Sequence, residues 1–172
     1  LQTSYSWTGS LSSGSSMMVT LGSSSFTAGT SYTIKVWTSL PNGTTDGDTR
    51  NDTLQTTTCP GLAGTFTIGG TGSDYPTFQD AIDALACGGV AGPVKFLVNP
   101  GTYTEQVDIP SIKYANSKNT ITFDGTNAAT RILTYPASSN LAAHTLRLNN
   151  TQFIRIRNLT IRATGGSNGC AV

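Results

Sequence analysis

At 172 residues the chain is long enough for one ordinary domain or two small ones. With 11% charged residues and a formal net charge of +1, it offers nucleic acid no basic tract to bind. No window approaches the roughly twenty apolar residues that span a bilayer, which argues against direct membrane insertion.

Serine, threonine, glycine and asparagine are abundant, yet aromatic and β-branched residues are retained, so the composition points to strands and turns rather than disorder. Leu1 opens inside a patterned segment with neither an initiator methionine nor a leader. The chain stops at Gly169-Cys170-Ala171-Val172 without a terminating pattern, so it reads as an internal stretch of a longer protein.

The first runs are Tyr5-Ser6-Trp7, Ser16-Met17-Met18-Val19-Thr20-Leu21, Ser31-Tyr32-Thr33-Ile34-Lys35-Val36-Trp37 and Asp52-Thr53-Leu54-Gln55-Thr56. Tyr32, Ile34 and Val36 alternate as one face of a strand. Turn chemistry separates the runs at 9–14, at Ala28-Gly29 and at Pro41-Asn42-Gly43. Four short strands at this spacing predict part of a β-sandwich over residues 1–58. The acidic loop Asp46–Asp52 lacks the oxygen ligand and closing glutamate of an EF-hand, so it reads as a solvated hairpin loop.

Cys59-Pro60-Gly61 marks a boundary, and residues 59–172 form the second predicted unit. Gly64–Ile68 predicts a strand. Thr77, with Asp80 three positions on, then predicts a capped helix over 77–86 whose apolar stripe is Phe78, Ala81, Ile82 and Leu85. Gly88-Gly89 ends it. Cys59 and Cys87 flank this helix, either as a disulfide, which would imply an oxidising compartment, or as two small buried thiols.

Seven short apolar runs follow, from Val94–Val98 to Leu159–Arg162. Phe96, Ile121 and Leu146 recur every 25 positions, and so do Val107 and Ile132. That spacing, with Asn/Gly corners at Asn149, Asn150 and Asn158, predicts stacked coils of a solenoid with the helix plugging its apolar end. The predicted fold class is therefore all-β: a partial sandwich, then the cap and first coils of a parallel β-helix.

Asp74–Leu85, Asn99-Pro100-Gly101-Thr102-Tyr103-Thr104-Glu105-Gln106-Val107 and Asn119–Gly125 resemble the opening of the pectin-lyase-like superfamily, including pectin methylesterases. They are more similar still to right-handed parallel β-helix modules of large secreted surface proteins of Bacteroidota-type bacteria. Trp7–Leu11, Val19–Gly22, Lys35–Trp37 and Asn51–Leu54 resemble the later half of a CARDB-type, Ig-like adhesion module. The resemblance implies secretion to the cell surface, and it makes Thr53 in Asp52-Thr53-Leu54 an O-glycosylation candidate. In the esterase-like members the catalytic residues come from later coils, and no position here matches them.

The chemistry is sparse. Three cysteines without C-x-x-C spacing and one histidine, His144, predict no metal centre, no cofactor and no nucleophile–base pair. Glu105 and Asp108, the acids nearest a coil face, read as solvated edge residues. After Asp124 there is no acid, yet Arg147, Arg155, Arg157 and Arg162 occur at outward positions of alternating strands. Aligned on one face they would bind an anionic glycan or another subunit; otherwise they solubilise the surface and discourage edge pairing.

The leading expectation is a non-enzymatic structural or adhesive segment of a surface protein or appendage. Its expected partners are other copies or modules of that protein and, secondarily, cell-surface glycans. The rivals are a carbohydrate-active enzyme, lyase or pectinesterase-like, with its active coils elsewhere, and an anionic glycan-binding module.

Overall fold

The computed structural model describes residues 4–40, 43–136, 143–165 and 169–172. Among these residues the chain is mostly β with one α-helix, and the strands pair in parallel from residue 62 onward. Of the turn expected at 41–43, Pro41 and Asn42 lie outside the described residues.

The first part makes one antiparallel hairpin, β1 (Tyr32–Trp37) with β2 (Thr53–Thr58), in which Val36 faces Leu54. The runs at 5–7 and 16–21 do not form strands, and no sandwich is assembled among the described residues. β-propensity measures fit to a neighbouring pleated surface, and these runs have none beside them. Trp7, Met18 and Leu21 are accordingly exposed.

β3 (Leu62–Ile68) begins the second part. The helix α1 spans Phe78–Gly88, two residues beyond the predicted end, with Thr77 as its N-cap. The capping box forms as expected: Asp80 N donates to Thr77 Oγ1 and Thr77 N to an Asp80 carboxylate oxygen, each at 3.1 Å. Phe78, Ala81, Ile82 and Leu85 are all buried, and the helix packs on β3 and on the strand Val107–Ile109. Gly89 terminates it at φ 72°, and a Cβ there would meet the Lys113 carbonyl oxygen at 2.4 Å, so only glycine closes this end.

The remaining strands are β4 (Val90–Val98), β5 (Gly101–Thr104), β6 (Val107–Ile109), β7 (Ile121–Asp124), β8 (Arg131–Tyr135), β9 (Leu146–Leu148), β10 (Ile154–Arg157) and β11 (Thr160–Ala163). They build three parallel sheets in the orders β3-β4-β7-β10, β5-β8-β11 and β6-β9. From β4 onward each set of three consecutive strands visits each sheet once, so the chain winds in coils. Val107, Leu146, Phe96, Phe123 and Leu133 fill the interior, where Phe96 and Phe123 stack with ring centroids 4.9 Å apart.

The 25-residue repeat is not the coil length. Val94 faces Ile121, 27 positions on, and Ile121 faces Ile154, 33 on; Thr102 faces Ile132 after 30 and Val107 faces Leu146 after 39. Ile121 and Leu146 lie in different sheets, as do Val107 and Ile132. The strands keep register while the corner loops vary in length, so equal spacing along the chain does not mark equivalent positions.

Corners are held by close backbone approach. Asn150 and Asn158 adopt φ of 52° and 50°, the left-handed conformation asparagine tolerates. Above Asn158 sits Gly125, whose N donates to the Arg157 carbonyl at 2.9 Å; a Cβ on Gly125 would lie 2.0 Å from the Asn158 carbonyl oxygen.

Candidate functional site

The sheet β3-β4-β7-β10 turns alternate residues away from the core. Two outward rows cross it, Thr65–Lys95–Thr122–Arg155 and Thr67–Leu97–Asp124–Arg157. Asp124, the last residue of β7, is the chemical centre of this face. One of its oxygens accepts from Thr126 N at 2.9 Å and from the Asn158 side-chain amide at 3.0 Å, and the other pairs with Lys95 Nζ at 3.0 Å. These contacts, led by the Asn158 amide, hold its pKa down to about 2. A carboxylate so deeply ionised and so fully bonded neither donates nor accepts a proton near neutrality.

The other coil acids are equally committed. Asp74 accepts from Thr67 N and Oγ1 at 2.7 and 2.8 Å, which holds its pKa below the usual carboxylate value. Glu105 reaches across to α1, accepting from Phe78 N at 3.3 Å and Gln79 N at 3.1 Å. It satisfies two free N–H groups of the first turn and places negative charge at the positive helix end. Asp108 ion-pairs with Arg147 of the next coil, whose Nε donates at 3.0 Å, and its pKa is lowered by that guanidinium. Glu105 and Asp108, expected as solvated edge residues, are partly exposed, and each is also bonded to a neighbouring element. The signal for Glu105 was its motif: Tyr103, two positions earlier, donates to the Asn99 carbonyl at 2.8 Å and packs edge-on against Phe78.

The four arginines do not line one face. Arg147 lies in β6-β9, Arg155 and Arg157 in β3-β4-β7-β10, and Arg162 in β5-β8-β11 opposite Thr134. Because successive strands belong to successive sheets, arginines on β9, β10 and β11 must point in three directions. Only Arg155 and Arg157 share a surface, exposed beside half-buried Ile154 and Ile156, and neither makes an ion pair among the described residues.

No family model matches the chain, and no curated protein matches it. Among solved structures, a crystal structure of the pectin methylesterase from Aspergillus niger is similar over 64% of this chain and 38% of its own, with 24% identity and a TM-score of 0.49. The chain thus spans well under half of that neighbour. The coiled architecture described above rests on strand registers alone.

Away from this face, Cys59 and Cys87 form a disulfide with Cα atoms 5.9 Å apart, joining the end of α1 to the segment between β2 and β3. Cys170 is free and exposed. His144 makes a single parallel bridge to Cys170, and its carbonyl accepts from the Gln106 side chain at 3.0 Å. In the hairpin loop Asp46 accepts from Asp48 N, Asp48 pairs with Arg50, and the Asp52 pKa is raised by burial and by Asp46. No cluster of three or more metal-ligating side chains occurs among the described residues. Thr53 is exposed, opposite Trp37 at the start of β2.

Proposed function

We propose that this chain is a non-catalytic structural segment of an extracellular surface protein: a pectin-lyase-like right-handed parallel β-helix entered from a partial Ig-like, CARDB-type module over residues 1–58. Parallel crossovers within one sheet wind right-handed almost without exception, which supports that hand. The Cys59–Cys87 bridge supports an oxidising compartment. In this reading the coils serve as a stiff spacer for attachment or assembly with other modules or copies, and exposed Thr53 is available to O-glycosylation.

One observation carries the non-catalytic part. All nine acidic residues bond to neighbours in the fold: Asp46, Asp48 and Asp52 in the hairpin loop, Asp74, Asp80 and Asp83 around α1, and Glu105, Asp108 and Asp124 between elements. General acid catalysis needs a carboxyl poised near the working pH, and the coil acids with displaced pKa values are displaced downward.

The test is an assay of the chain on methyl-esterified pectin and on polygalacturonate, alongside melting curves of Asp108→Asn and Asp124→Asn. The expected result is no methanol release, no chain cleavage and a lowered Tm for both variants. Turnover by the parent that Asp124→Asn abolishes at unchanged Tm would overturn the reading.

A further inference from the structure

We propose that the Cys59–Cys87 disulfide is a thiol-exchange site, at which a small anionic thiol attacks Cys87 and opens the clasp between the hairpin and α1. The bridge does not lie inside the core. Both cysteines are half-buried, and both line an open groove of about 380 Å³, a volume in the range of small-molecule sites. Thr57 and Thr58, the last residues of β2, line the same groove, and so does Lys113. Lys113 is exposed and makes no ion pair among the described residues. Its ammonium draws an anionic reagent toward the bridge and stabilises a thiolate leaving it.

The helix sets the direction of the reaction. Cys87 sits in the last turn of α1, where the negative end of the helix dipole disfavours a thiolate, whereas Cys59 lies outside any helix. The incoming thiolate sulfur bonds to the Cys87 sulfur, the Cys59–Cys87 bond breaks, and Cys59 leaves as the thiolate. A second thiol then releases Cys87, leaving two free thiols on the chain and the reagent as its own disulfide. The contacts around the bridge set what is freed. The linker 59–61 runs so close to α1 that a Cβ on Gly88 would lie 2.5 Å from the Pro60 carbonyl oxygen. That carbonyl accepts from Gly29 N at 2.8 Å, and a Cβ on Gly29 would lie 2.8 Å from the Ala84 Cβ. The turn before β1 and the residue after β2 are thus seated together on one helix. With the bridge open, the base of the hairpin keeps only these backbone contacts, and the turn at Gly29 loosens.

The experiment uses the whole chain carrying Cys170→Ser, so that the exposed free thiol takes no part. Anionic glutathione, neutral 2-mercaptoethanol and cationic cysteamine are applied without denaturant, and opened bridges are trapped with iodoacetamide. Each rate is divided by that reagent's rate on bis(2-hydroxyethyl) disulfide, which removes differences in intrinsic reactivity. The proposal expects glutathione to exceed cysteamine by at least about threefold on this scale, with the first adduct on Cys87. Lys113→Ser should bring that ratio close to one, while Lys118→Ser keeps it. Opening should also speed hydrogen exchange at the Gly29 amide and leave the β4 and β7 amides protected. A bridge that opens only in urea, at the rate of unfolding, would be a structural disulfide alone and would overturn the proposal. A ratio indifferent to Lys113, or a first adduct on Cys59, would overturn it as well. The exchange does not depend on the coils being non-catalytic, so its failure would leave the pectin assay and its outcome untouched.

Discussion

Asp124 is 7% exposed, yet it holds its charge because three donors from three segments converge on it. A carboxylate whose folded pKa lies below its unfolded value contributes stability above the unfolded pKa, and that contribution is lost as pH falls through the folded one. For a shift from 3.8 to about 2, the contribution at pH 7 is on the order of 2 kcal/mol. Stability should therefore fall between about pH 5 and pH 2, and Asp124→Asn should cost about that amount at neutral pH while flattening the acid limb. Urea midpoints measured across that range check it, and an unchanged acid limb would mean Asp124 is already screened. Asp74 and Asp108 titrate with the same sign, but both are more open to water, so their share is smaller.

At the scale of the element, α1 is fastened at both ends, by Glu105 at its first turn and by the disulfide at Cys87 near its last. The bridge closes a loop with a sequence separation of 28, for which chain entropy predicts about 3–4 kcal/mol of stabilisation. Reduction, or Cys59→Ser/Cys87→Ser, should lower stability by that order, and Glu105→Ala should cost about a further 1 kcal/mol. Denaturation with and without reductant reads both, and a reductant-insensitive midpoint would show the helix docked by packing alone.

The capping box was legible in the sequence because Thr77 and Asp80 are three residues apart and physically local. Glu105 was not, since its partner N–H groups lie 26 and 27 positions away and only the coil brings them together. The register failed for a related reason: strand alternation fixes which side faces in, but corner length fixes which residues stack, and the corners are irregular. The arginines misled in the same way, because outward orientation was correct for Arg155 and Arg157 while membership of a sheet was invisible.

Across the molecule, order is graded. An isolated two-stranded hairpin is marginal in water, and β1–β2 carries exposed Val36 and Leu54 on one face. The coil strands β4 and β7 sit between neighbours on both sides. Hydrogen exchange should show the β1–β2 amides exchanging orders of magnitude faster than those of β4 and β7. Equal protection would mean that the hairpin draws stability from a surface not evident in its contacts.

The helix that seals one end of the stack also precedes every coil in the sequence. During synthesis the lid is therefore made first, and each later turn meets a finished apolar platform instead of having to create one. Only the newest rim is ever bare. A chain laid down in this way exposes at any moment one coil's worth of sticky edge, however many turns have already been wound.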